Sequence, residues 1–193
     1  CISSAASDVY KRQSISTINV LSAGCYPGFT GILPVGFLEG KMDEVITLKE
    51  IVGGRELGSL VACQDVIMSA IKNYGKVNMY MDTGQMTYNN LLEKDIKGGF
   101  PENVSLRLYF TEEFDMLCKK YKIPQAYFYN AVVDEEIDKA LSMACVKLSH
   151  ECDESVLVLE AKKISALQEN LVRERGNWYG MHLEADGIYN GKK

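Results

Sequence analysis

Ile18-Asn19-Val20-Leu21-Ser22-Ala23-Gly24-Cys25-Tyr26-Pro27-Gly28 is the stretch on which the reading of this chain turns. A short β-branched and apolar run suits a buried strand, and the glycine-bounded, proline-containing segment after it suits a tight loop. The next residues carry apolar side chains at Phe29, Ile32, Leu33 and Phe37, which predicts a helix over 29–38, with Pro34 best tolerated near its first turn. A strand, a glycine loop and a helix in succession are the grammar of an α/β fold. In an open α/β sheet, ligands approach the carboxyl ends of strands, where glycines let backbone and ligand come close. The same residues serve equally well as a plain turn before a helix.

The pattern continues in both element types. Val45, Thr47, Lys49 and Ile51 alternate with Ile46, Leu48 and Val52, predicting a strand over 44–52 that Gly53-Gly54-Arg55 ends. Ser59 is a good N-cap for a helix over 60–73, whose stripe runs through Leu60, Val61, Gln64, Ile67, Met68 and Ile71 to a stop at Gly75. Two short strands, 77–81 and 85–89, flank Asp82-Thr83-Gly84, and 91–101 reads as a charged connector. A strand over 104–109 leads to Thr111, a cap for a helix through 122 with Glu112 and Glu113 at its positive end. Pro124 breaks that helix before an interior strand containing Ala126-Tyr127-Phe128-Tyr129. Helices over 135–148 and 155–173 follow, then a strand over 178–186. Asn190-Gly191 is a strong hairpin signal with only Lys192 and Lys193 after it, so the chain is expected to be truncated at its C-terminus. The expected class is therefore α/β (α+β), with a mixed, largely antiparallel sheet of about five to seven strands and helices mainly on one face.

Composition narrows the function classes. The chain has 193 residues, of which 47% are hydrophobic and 24% charged, so it is globular. Its formal charge of −5 argues against nucleic acid as a partner. No apolar stretch approaches the ~20 residues that span a bilayer, and no signal peptide is evident, so no membrane partner and a cytoplasmic location are expected. Six widely spaced cysteines without CxxC are expected to be reduced. At the start, Ser3-Ser4-Ala5-Ala6-Ser7-Asp8-Val9-Tyr10-Lys11-Arg12-Gln13 resembles, codon for codon, the translation of a transposon-type sequencing-library adapter. Residues 1–13 are accordingly read as an adapter-like, non-native tail; without them the balance is −6.

No GxGxxG, GxxxxGK[ST], HExxH or GxSxG occurs, so the common phosphate cradles, the zinc protease and the hydrolase elbow lack their signals. Cys145, His150 and Cys152 match no common zinc spacing, and no metal is expected. Cys25 lies in the glycine loop where a thiol could meet a ligand, or it is a small packing residue. Tyr127, Phe128 and Tyr129 read as core and sheet surface rather than a stacking platform.

The passage Ile18-Asn19-Val20-Leu21-Ser22-Ala23-Gly24-Cys25-Tyr26-Pro27-Gly28-Phe29-Thr30-Gly31-Ile32-Leu33-Pro34 resembles the junction between the nucleotide-binding and second domains of saccharopine dehydrogenase-like oxidoreductases. The similarity continues through Val52-Gly53-Gly54-Arg55 and Ser59, Ala126-Tyr127-Phe128-Tyr129-Asn130, Trp178-Tyr179-Gly180 and Glu184-Ala185-Asp186-Gly187. The resemblance implies a fragment of an NAD(P)-dependent oxidoreductase acting on a small amino-acid-like substrate, inactive alone. Residues 14–28 would be the last strand and loop of a missing Rossmann domain, and 29–193 the substrate and dimerisation domain of a homodimer. By the same implication Gly24, Cys25, Tyr26, Pro27 and Gly28 would lie beside the nicotinamide of NAD(P), which the fragment would not bind tightly. Arg55 and Ser59 would face the substrate, Arg55 binding a carboxylate through its planar donors; a solvated charge at a strand end fits Arg55 equally well. No general acid or base is identified, and hydride transfer leaves the hard chemistry to the cofactor. The alternative is a non-enzymatic ligand-binding or dimerisation module.

Overall fold

A computed structural model of the chain describes residues 24–72, 75–89, 93–96, 99–149, 153–189 and 191. The expected strand over 18–23 and the adapter-like tail lie outside the described residues, as do His150, Cys152 and Asn190. The fold is α/β, with five helices and a mixed, mostly antiparallel sheet among the described residues. In chain order the elements are α1 (Phe29–Leu38), β1 (Glu44–Arg55), α2 (Leu60–Lys72), β2 (Gly75–Val77), β3 (Met79–Asp82), β4 (Gln85–Tyr88) and β5 (Glu93–Ile96). They continue with β6 (Val104–Thr111), α3 (Glu112–Tyr121), β7 (Gln125–Val132), α4 (Glu135–Leu148), α5 (Glu154–Arg175) and β8 (Trp178–Ile188).

Two compact units interleave along the chain. One takes in Arg55–Asn73 and Asp134–Trp178; the other takes in Ala23–Gly54, Tyr74–Val133 and Tyr179–Lys193. No linker was visible in the sequence because each unit is assembled from several segments.

The sheet unit holds eight strands in the order β2-β6-β7-β1-β8, with β3 joining β4 to β7 and β5 on β6. β1 runs parallel to β7, pairing Leu48 with Ala126, Glu50 with Phe128 and Val52 with Asn130. β6 and β7 are antiparallel, with Arg107 opposite Asn130 and Leu108 opposite Tyr129. Even-numbered residues of β1 share one face, and there Leu48 and Val52 enter a core with Ala126, Phe128, Leu38 of α1, and Phe114, Leu117 and Cys118 of α3. α3 begins where expected: Thr111 Oγ1 accepts the Phe114 N–H at 3.1 Å, and three acidic side chains occupy the first turn. Lys122 closes the helix in the left-handed region before Pro124.

Three strand expectations change. β1 runs on through Gly53-Gly54 to Arg55. Gly53 does not stop the strand; at φ 148° a Cβ there would come within 2.6 Å of the Ala131 carbonyl oxygen, so its absence lets β1 pass close to β7. The 91–101 connector contains β5, whose Glu93-Lys94-Asp95-Ile96 has no strand-like composition. Asn78, at φ 58°, divides the expected 77–81 strand into β2 and β3. With these, eight strands are named in the sheet among the described residues.

The helical unit packs α2, α4 and α5 around Cys63, Ile67, Met68, Ala144, Leu148, Leu157, Ala161 and Ile164. Ala144 and Ala161 are completely buried, small enough to let α4 and α5 approach closely. Ser59 caps α2 by accepting the Ala62 N–H at 3.1 Å, and Asp153 caps α5 through the N–H groups of Ser155 and Val156.

Candidate functional site

The 24–28 loop is fastened at both ends. Gly24 bridges Gly28, and the Gly24 and Cys25 carbonyls accept the N–H groups of Phe29 and Thr30 at 2.9 and 3.1 Å. Gly28, at φ 127°, is the N-cap of α1 and has no side chain with which to cap it. Glu113 of α3 does so instead. Its carboxylate accepts the Gly28 N–H at 3.2 Å and the Thr30 hydroxyl at 2.7 Å, where the positive end of α1 favours an anion. Gly31 faces the same carboxylate, and a Cβ at that position would collide with it. Between its fastened ends the loop leaves Gly24, Cys25 and Pro27 exposed. The Cys25 thiol lies 3.8 Å from Met181 Sδ.

Glu50 lies on the face of β1 that carries Leu48 and Val52, close enough to Tyr26 of the loop and to Glu113 for their charges to interact. It is completely buried, and neither carboxyl oxygen has a hydrogen-bond partner. An isolated carboxylate cannot be held there cheaply, so the group keeps its proton. Burial, with Glu113 nearby, pushes its pKa up to about 8. The Tyr26 side chain descends from the loop onto Phe128, ring centroids 5.5 Å apart. Its hydroxyl is hydrogen-bonded to the Asn130 side chain, and burial together with Tyr109, Tyr179 and Glu50 drives its pKa far upward. Cys118, on α3, is pushed up to about 12 by burial and by Asp115 and Glu50. A carboxylic acid, a phenol and a thiol thus all stay neutral in and against the packed core onto which Tyr26 of the loop closes. Of these, the acid is the one able to release a proton near neutral pH.

The two sets of sequence-derived site residues fall in different units. Gly24, Cys25, Tyr26, Pro27 and Gly28 belong to the sheet unit, whereas Arg55 and Ser59 belong to the helical unit. Arg55 is 4% exposed, so it is not a solvated charge. Nor does it offer its donors to a substrate: Nε and one terminal nitrogen bind Asp134 at 2.7 and 3.1 Å, and the other terminal nitrogen reaches the Arg175 carbonyl at 3.3 Å. Ser59 is exposed and spends its hydroxyl oxygen on the α2 cap. No group of three metal-ligating side chains occurs among the described residues, and none of the described helices is long and apolar enough to cross a membrane.

Glu50 is not among the site residues expected from sequence, and Glu113 enters there only as a charge at a helix start. Glu50 shares its parity with Leu48 and Val52 on the strand, which marks it as an acid on a packed face. Glu113 was legible only as a helix-terminal charge, because its contacts with residues 28 and 30 span more than eighty positions.

Fold and site together define an α/β protein with a glycine loop pinned by Glu113 and a buried carboxyl, Glu50, without hydrogen-bond partners. No protein-family model matches the chain, and no curated protein matches it.

Proposed function

We propose that this chain is part of an NAD(P)-dependent oxidoreductase of the saccharopine dehydrogenase-like type, in which the 24–28 loop lies beside the nicotinamide and the sheet unit receives a small amino-acid-like substrate. The observation that carries the reading is the loop itself. It is exposed at Gly24, Cys25 and Pro27 yet anchored by its own hydrogen bonds and by Glu113. A flat ring needs such a surface: glycine backbone it can approach closely, already ordered before binding. Glu50, kept neutral by burial close to Tyr26 of the loop, is the group of this core able to release a proton near neutral pH. Arg55 takes no part in this reading, because its donors are committed to Asp134 and the backbone.

Cofactor binding tests it. A chain extended upstream of Ser14 by the continuous reading frame should contain a strand followed by GxGxxG, and should quench or shift NADPH fluorescence on titration; residues 14–193 alone should not. A native start codon immediately before Ser14, or tight NADPH binding by the shorter chain, would overturn the reading.

The proposed assembly is a homodimer. α1 carries no charged residue, and it leaves Phe29 47%, Ile32 67% and Phe37 42% exposed. Apolar surface of this kind is worth about 25 cal/mol per Å² when covered, which favours a protein partner. Sedimentation equilibrium should show a dimer, and Ile32→Glu should convert it to monomer. A monomer for the unaltered chain at high micromolar concentration would contradict the assignment.

A further inference from the structure

Glu113 does two things at once: it fastens the 24–28 loop and the first turn of α1, and it opposes ionisation of Glu50. We propose that Glu50 and Glu113 form a two-carboxyl proton switch, in which protonated Glu50 lets Glu113 hold the 24–28 loop closed and ionised Glu50 displaces Glu113 and frees it.

The geometry sets the direction of the response. Glu50 is completely buried, with no partner at either oxygen, so an ionised Glu50 has neither water nor a donor to turn to. Glu113 is only partly buried and has a route to solvent. When both carboxyls are charged, Glu113 is therefore the group that yields, by swinging outward or by taking up a proton itself. Either change weakens the acceptor for the Gly28 N–H and the Thr30 hydroxyl. The strength at stake is that of charge-assisted hydrogen bonds, roughly twice that of neutral ones.

The other groups around Glu50 do not substitute for this pair. The loop contributes Tyr26, whose pKa is driven upward by burial, and α3 contributes Cys118, pushed up to about 12, with Asp115 beside it. β6 contributes Tyr109 and β8 Tyr179, both acting on Tyr26. β7 contributes the neutral Phe128 and Asn130. Arg107 of β6 stands opposite Asn130, one row along the sheet, and makes no hydrogen bond to either Glu50 oxygen. With its pKa near 8, Glu50 is the member of this set poised to change charge just above neutrality. Such a loop is closed at neutral pH and opens in mild alkali, whether or not it meets a cofactor.

Hydrogen exchange at residues 28–32 reads the switch directly, because their N–H groups bond to Glu113, Gly24, Cys25 and Gly28. Protection factors, corrected for the intrinsic pH dependence of exchange, are measured at pH 6 and pH 9 on the full chain. In the unaltered chain, protection at 28–32 should fall by about tenfold. In Glu50→Gln, which mimics the protonated acid and cannot ionise, it should change by less than about twofold on the same scale. In Glu113→Gln it should be low at both pH values. Amides of α5, in the other unit, should hold their protection throughout. An equal fall in Glu50→Gln, no fall in the unaltered chain, or a matching loss in α5 would each overturn the switch.

Discussion

Asp134→Ala should cost the chain about 3–5 kcal/mol of stability, the penalty characteristic of stripping one partner from a buried ion pair. Asp134 is 6% exposed and Arg55 4%. Both carboxylate oxygens are in use: one accepts Arg55 Nε at 2.7 Å, and the other accepts a second Arg55 nitrogen at 3.1 Å and Arg175 at 2.6 Å. Arg175 is partly exposed and also reaches Glu136, so it can rehydrate when Asp134 is lost. Arg55 cannot. Its guanidinium would remain buried against the Arg175 and Gly176 carbonyls without the carboxylate that faces it. Converting the pair to Arg55→Met with Asp134→Leu should recover most of the loss, because burying two charges is itself expensive and an apolar pair of similar volume packs without that cost. Urea midpoints for the two single variants and the double variant give the coupling energy. A loss under about 1 kcal/mol for Asp134→Ala would mean that the pair behaves as a solvated surface bridge, and Arg55 would again be open to the substrate role that the resemblance implied.

The elements that could be read from sequence are those whose signal is local. The α1, α3 and α4 boundaries follow from apolar period, from Thr111 and from Pro124, and the caps at Ser59 and Thr111 form as their side-chain chemistry predicts. β5 escaped because Glu93-Lys94-Asp95-Ile96 becomes a strand by pairing with β6, a tertiary choice that overrides weak propensity. Gly53 misled because one residue type serves both to end strands and to let backbones approach. The site divides in the same way. The loop announced itself through Gly24, Pro27 and Gly28. The carboxyl pair did not, because partnership between residue 50 and residue 113 exists only once β1 and α3 share a core. Arg55 shows the opposite failure: an arginine at a strand end reads as available, and only the fold reveals that Asp134 has claimed it.

Glu50→Gln should leave the chain's stability nearly unchanged near pH 5 and raise it by several kcal/mol near pH 8.5. In the folded chain burial raises the Glu50 pKa to about 8, whereas an unfolded glutamate titrates near 4.5. Below pH 4.5 both states carry the proton and the group has no effect on the balance. Between 4.5 and 8 the unfolded chain ionises while the folded chain does not, so unfolding releases a proton and stability falls with rising pH, by about 1.4 kcal/mol per unit for one full proton. Above 8 both states are ionised and the slope vanishes. Over the whole window the loss approaches about 5 kcal/mol, which is comparable with the net stability of an ordinary domain. A residue kept at such cost needs a reason, and its coupling to Glu113, which pins the 24–28 loop, offers one: the proton that Glu50 holds is the proton on which the loop switch turns. Urea midpoints at pH 5, 6.5 and 8.5 separate the possibilities. Curves for the unaltered chain and Glu50→Gln that diverge as pH rises, with Glu50→Asp behaving as the unaltered chain, would establish a buried acid. Parallel curves would show that water reaches Glu50, and a hydrated carboxylate there would serve neither as proton donor nor as switch.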